Sequence, residues 1–208
     1  MSSFGSARPP PRHAAVLPAP AMVPGRTSKG GGLGASPHLG SRMHASGGPG
    51  LTHVDQSGKA SMVDVGDKPV TRRSAVASAR VLLGKEVFDL VRSNSLGKGD
   101  VLTTSELAGI MAAKHTGTLI PLCHNIVIDK VKVALELDEA EHAVRIRTEA
   151  HCTGKTGVEM EALTAASVAA LTVYDMCKAV SHDITITDLR LDHKAGGQRG
   201  SFNRDAIE

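Results

Sequence analysis

The sequence has no tryptophan, and aromatic residues fill only 2% of its 208 positions. Its hydrophobic fraction of 41% is still enough for a core. That core must therefore be built from aliphatic and alanine side chains, in one domain with a tail. The three cysteines, Cys123, Cys152 and Cys177, include no C-x-x-C pair. An odd count without framework spacing excludes a disulfide scaffold and points to reduced thiols in an intracellular or organellar compartment. No apolar run approaches the roughly eighteen residues of a membrane span, so no membrane partner is expected. Acid is missing from residues 1–50, which carry Arg8, Arg12, Arg26, Lys29 and Arg42. Taking those five from the 24 basic residues leaves 19 against 21 acidic ones, a net charge of −2 over 51–208. With Phe88, Tyr174 and Phe202 as the only aromatics there, this region lacks the basic face and stacking rings that nucleic acid requires.

What is present falls into two parts. Residues 1–50 hold eight of the ten prolines, with glycine, serine and alanine filling most of the rest. The segment is expected to be disordered, because it cannot bury enough surface to offset chain entropy. Being arginine-bearing and acid-free, it is similar to an organellar transit segment, so a mitochondrial matrix location is expected, with the cytoplasm as the alternative. The domain is expected over 51–208. After an extended lead-in, Ala75 to Leu83 alternates as a strand with one small-residue face. Lys85 to Asn94 reads as a short helix, and Gly97-Lys98-Gly99-Asp100 as a turn. A second helix runs from about Thr104 to Lys114, with capping chemistry from Thr103, Thr104 and Ser105. Residues 118–125 form a loop, Ile126 to Leu137 a strand, and Val144 onward its hairpin partner. A long helix follows, then a last strand from Ile184 to Leu191. Strand, helices, strand, strand, helix, strand is a split βαβ order. It predicts an α+β, ferredoxin-like fold: an antiparallel sheet with helices on one face.

The long helix, Lys155 to Val180, organises the rest. Ala162, Ala165, Ala166, Ala169 and Ala170 give it a middle that another backbone can approach closely. Glu159 and Glu161 stand in its first turn, where the helix dipole favours acids. Asp175 stands near its C-terminus, where the dipole opposes it, but Lys178 three residues on lies on the same face. Glu159 and Asp175 are sixteen residues apart, about 24 Å of helix. The two ends cannot share one small-molecule site within a chain. They can share one between two copies related by a two-fold axis. The plainer alternative is that these are solvated first-turn acids and a surface ion pair.

Three turns carry reactive or cationic groups: Lys98 between glycines, Leu122-Cys123-His124 after Pro121, and Lys194 before Gly196-Gly197. Each also has a plain structural reading. Two motifs fail. Gly154-Lys155-Thr156 is similar to the end of a phosphate-binding loop, but Glu149 stands where that motif needs glycine. Cys123-His124 and His151-Cys152 offer four zinc ligands, but adjacent residues rarely both reach one metal, and no metal-ligand spacing supports it.

Read together, Met62–Val65 (MVDV), Lys98–Asp100 (KGD), Ala108–Lys114, Ile120–His124 (IPLCH), the run from Thr153 to Thr172, Tyr174–Val180 (YDMCKAV) and Lys194–Gly197 resemble the molybdenum cofactor biosynthesis protein C family, the cyclic pyranopterin monophosphate synthases. The resemblance covers about 51–205. It implies a lyase that converts 3′,8-cyclo-7,8-dihydro-GTP to cyclic pyranopterin monophosphate and releases pyrophosphate, with no metal or organic cofactor. It also implies a homohexamer, a trimer of dimers with sites at the dimer interface; the upstream radical enzyme is a candidate partner. By the same resemblance Lys98, Asp175 and Lys178 are catalytic, and Lys68, Arg73 and Lys194 hold the triphosphate and its leaving pyrophosphate. Leu122, Cys123, His124, Glu159, Met160 and Glu161 match the segments that hold the rest of the substrate. The rival from another class is a non-catalytic partner-binding scaffold, which would not need the Lys98, Asp175 and Lys178 set.

Overall fold

The computed structural model describes residues 59–204. The expected disordered segment 1–50, residues 51–58 of the expected domain and the last four residues lie outside them. Five strands form one antiparallel sheet in the order β2-β3-β1-β4-β5: β1 Thr71–Leu82, β2 Ile128–Asp138, β3 Ala143–Gly154, β4 Thr185–Ala195 and β5 Phe202–Asn203. The helices are α1 Lys85–Arg92, α2 Val101–Lys114, the one-turn α3 Thr116–Leu119 and α4 Glu159–Cys177. β3 and β4 both pair antiparallel with β1, so they run parallel to each other with β1 between them. α4 connects them across that gap. This is the ferredoxin-like arrangement that the order of elements predicts.

The core is as poor in aromatics as the composition requires. β1 turns Ala75, Ala77, Ala79 and Val81 toward the helices, each at most 1% exposed. α4 answers with Ala162, Ala165, Ala166, Ala169 and Ala170, all fully buried. Two alanine surfaces can approach closely, and buried Thr148 on β3 ties them together. Its hydroxyl donates to the Ala162 carbonyl in the first turn of α4 at 2.8 Å. α2 closes on α4 through Gly109, where an added Cβ would lie 3.0 Å from the Ala165 carbonyl oxygen and 3.2 Å from the Val133 methyls. The backbone that the small residues of α4 admit therefore belongs to the same chain, and the alanine stripe faces inward.

Element boundaries differ where polar residues carry the structure. β1 begins at Thr71, four residues before the alternating stretch, because Thr71 to Ser74 pair with the end of β3. β4 continues to Ala195, so Lys194 lies on a strand rather than in a turn. α2 starts at Val101, because the Asp100 side chain accepts from the Thr103 N–H at 3.0 Å; Asp100 is the cap, and Thr103 is its partner. α4 is shorter than the uninterrupted helical pattern, since Lys155 to Val158 form the connection from β3.

The close approach at Gly109 makes a direct prediction. Gly109→Val should cost about 1–3 kcal/mol of unfolding free energy through overpacking. Gly97→Ala, at a site with open space around it, should stay within about 0.5 kcal/mol. Equal losses in urea denaturation would contradict the packing described.

Candidate active site

The topology sorts the ends of the elements. The start of β1, the ends of β3 and β4 and the N-terminus of α4 all lie at one end of the sheet. A cavity of about 310 Å³ opens there. Arg73 from β1, Lys194 from β4, Glu159 from α4 and Lys68 and His124 from the adjoining loops line it, with Lys155 and Arg199. Their orientation is set locally. Arg73 Nη2 donates to the Lys155 carbonyl at 3.3 Å, and Lys155 Nζ donates to the Gly66 carbonyl at 2.5 Å. Lys194 pairs with Glu159 at 3.4 Å. His124 Nε2 lies 2.8 Å from the Val63 carbonyl oxygen. A carbonyl only accepts, so Nε2 carries a proton and neutral His124 keeps Nδ1 as an acceptor for a ligand. Gly196 and Gly197 take φ near +87° and +88°. A Cβ at Gly196 would run into the Arg72 carbonyl oxygen, leaving no room for a side chain, and Gly197 lies against the Arg73 guanidinium.

Behind this wall Glu161 is buried at 4% exposure. Burial pushes its carboxyl up to about 7, opposed by its own helix amide and reinforced by nearby Glu159. Burial and the neighbouring Glu161 also push the Cys123 thiol up, and the same causes act on Cys152. Both thiols are therefore poor nucleophiles near neutral pH.

At the other end of α4 a single carboxylate lies between two lysines. Asp175 Oδ1 is 2.6 Å from Lys178 Nζ, and Asp175 Oδ2 is 3.1 Å from Lys98 Nζ. The hydrogen bond from Lys178, then that from Lys98, holds the Asp175 carboxyl below its usual range. The same bond raises Lys178. Lys98 Nζ also donates to the Asp175 carbonyl at 2.7 Å, so it caps the negative end of the helix dipole. That resolves the oddity of an acid near a helix C-terminus: two cations outweigh the dipole.

The structure thus gathers Lys68, Arg73, His124, Glu159 and Lys194 at one end of α4, and Lys98, Asp175 and Lys178 at the other. Leu122, Cys123 and Met160 are half-buried, Glu161 is buried, and none of these four lines the cavity. Sequence reasoning missed Lys155 and Arg199. The only local signal was the Gly154-Lys155-Thr156 tripeptide. It is not a nucleotide-binding loop, yet Lys155 and Thr156 do face the cavity. Among the described residues no three His, Cys, Asp or Glu side chains gather as a metal site.

An α+β domain with a cationic pocket at one end of its central helix and an acid between two lysines at the other has the charge distribution to hold an anionic small molecule. Comparison narrows this reading. The MoaC family model matches residues 62–197, and the chain belongs to that family. It is 61% identical over 154 residues to molybdenum cofactor biosynthesis protein 1 of Mus musculus, covering 74% of this chain and 24% of that protein. It is 59% identical over 154 residues to the mitochondrial cyclic pyranopterin monophosphate synthase of Arabidopsis thaliana, covering 74% and 57%. It is 53% identical over 155 residues to the cyclic pyranopterin monophosphate synthase of Heliobacterium modesticaldum, covering 74% and 98%. The chain thus spans about a quarter of the mouse relative, just over half of the plant one and nearly all of the bacterial one.

Glu161 yields a pH prediction. Its carboxyl is raised in the folded state, so the unfolded chain ionises first. Stability should fall as pH rises from about 4.5 to about 7 and level off above. Glu161→Gln removes that loss. It should stabilise the protein at pH 8 by up to about 3 kcal/mol and change little at pH 4.5. Thermal melts showing the same shift at both pH values would contradict a buried, raised carboxyl.

Proposed function

We propose that the chain is a cyclic pyranopterin monophosphate synthase: a lyase that converts 3′,8-cyclo-7,8-dihydro-GTP to cyclic pyranopterin monophosphate and pyrophosphate in molybdenum cofactor biosynthesis. The observation that carries this reading is the division of chemistry along α4, phosphate-binding cations at one end and proton-transfer groups at the other. Forming the cyclic phosphate joins a substrate hydroxyl oxygen to the α-phosphorus. The bond from that phosphorus to the β-phosphate oxygen breaks, and its electron pair leaves with pyrophosphate. The hydroxyl proton passes to a base. Lys68, Arg73 and Lys194 neutralise the charge that collects on the leaving group. His124 Nδ1 and Glu159 accept hydrogen bonds from the substrate, and buried Glu161, beside Leu122-Cys123 and Met160, shapes the wall behind it. Rebuilding the purine-derived ring requires protons to be given and taken. Lys98 and Lys178 carry this exchange, one as acid and the other as base, and Asp175 orients both.

The two ends of α4 are about 24 Å apart, too far for one substrate. The working site therefore combines the cavity of one chain with the Lys98–Asp175–Lys178 cluster of another, in a dimer that repeats as a homohexamer. The helix layer offers a surface for association: Leu107 and Met111, one turn apart on α2, and Leu171 on α4 are 60%, 51% and 58% exposed. The upstream radical enzyme, which makes the substrate, is a candidate partner of this assembly. The acid-free, arginine-bearing N-terminal segment and the mitochondrial name of the Arabidopsis relative support a mitochondrial matrix location.

The test is pyrophosphate release from the cyclised dihydro-GTP. The wild type should turn over, and Asp175→Ala should lose about three powers of ten, some 4 kcal/mol of transition-state stabilisation. A folded, oligomeric wild type that releases no pyrophosphate would sink the enzyme reading and favour the scaffold.

A further inference from the structure

The cavity at the N-terminus of α4 holds more positive charge than this reaction scheme uses. Lys68, Arg73, Lys155, Lys194 and Arg199 line it, against Glu159 as its one acid among the described residues. These groups are not equally spent. Lys194 is paired with Glu159. Lys155 Nζ is held by the Gly66 carbonyl. The side chains of Lys68 and Arg199 have no hydrogen bond or ion pair among the described residues. Arg73 Nε is buried and has no acceptor among the described residues. Arg199 sits in a turn closed by the Gly200 N–H donating to the Gly197 carbonyl at 3.3 Å. Gly197 and Gly200 both adopt positive φ, 88° and 68°, which costs glycine nothing. That turn packs directly on Arg73 through Gly197. Arg199 is thus presented beside Arg73 by a backbone that only glycine adopts readily.

We infer that Arg199 is a phosphate ligand of this cavity, completing with Lys68 and Arg73 a grip for a linear oligophosphate chain, and that Lys155 is the positioning residue of the grip. The inference rests on the reading that this end of α4 takes the phosphates, and it goes beyond it in naming two further residues. Five cations against one carboxylate leave about four positive charges, the complement of a triphosphate with one negative charge per phosphate and a second on the terminal one. Arginine suits the role because its planar fork binds two phosphate oxygens at once. Lys155 acts through others. Its carbonyl accepts from Arg73 Nη2, and its ammonium fastens the Gly66 turn, two residues before Lys68. One residue therefore holds both cations in register.

The experiment is calorimetric titration of the full chain with inorganic tripolyphosphate. Arg199→Gln should weaken binding about tenfold and raise KM for the cyclised nucleotide. Arg147→Gln, which removes the same charge from the opposite face of the sheet, should change neither. Lys155→Met should weaken tripolyphosphate binding and speed amide exchange over residues 62–68, and Lys155→Arg should restore both. Unchanged affinity in Arg199→Gln, an equal loss in Arg147→Gln, or no binding by the wild type would each overturn the inference. Tripolyphosphate binding that follows this pattern, in a protein that releases no pyrophosphate from the nucleotide, would uphold the grip while refuting the proposed reaction.

Discussion

The packing of α4 flat against the sheet is the constraint on which both charged centres depend. It works because each surface is alanine where they meet: Ala75, Ala77 and Ala79 on β1 against the stripe from Ala162 to Ala170 on α4. Larger side chains would lift the helix and change the angle at which its ends project. Thr148 pins the first turn to the sheet, and Gly109 lets α2 lock the middle. The helix then acts as a rigid spacer between the two charged centres. A core with few aromatics is what permits this geometry, and it accounts for a composition that otherwise looks thin for a stable domain.

Electrostatics explains why each site sits at its own end. The helix N-terminus favours anions, and the cationic cavity is built around it, with Glu159 as its internal counter-charge. The C-terminus favours cations, and Lys98 and Lys178 gather there. Asp175 is tolerated at that end because both lysines face it. The carboxylate and the lysines form one unit, and removing Asp175 leaves both lysines without their partner. Glu161 is the opposite case: a carboxyl whose ionisation burial opposes, raised to about 7, behind the cavity wall rather than on it.

The order of elements was legible because strands with small alternating residues and an alanine-rich helix leave clear periodicities, and because a split βαβ order allows few topologies. The pairing of Asp175 with Lys178 followed from helical spacing. Lys98 could not be added by spacing, since a turn 77 residues away in sequence is brought in only by the fold. Thr71 to Ser74 and the end of β4 were not readable as strand, because their polar residues take part in the ladder at the edge of the cavity. The cap at Asp100 was hidden by three better-placed hydroxyl residues. The burial of Glu161 had no local signal at all, since Glu159, two residues earlier in the same first turn, has the same chemistry and lines the cavity. Arg199 was invisible for a related reason: its place depends on how a glycine turn folds back on Arg73.

The central claim is that one working site uses the two ends of α4 from different chains. Mixing an Asp175→Ala chain with a Lys194→Ala chain tests it most directly. In a two-fold dimer the mixed pair carries one doubly altered site and one intact site. Equal mixing with random assembly should therefore restore about a quarter of wild-type pyrophosphate release, although each parent variant is inactive. No recovery in verified mixed oligomers would place both ends of the chemistry within one chain and contradict the account.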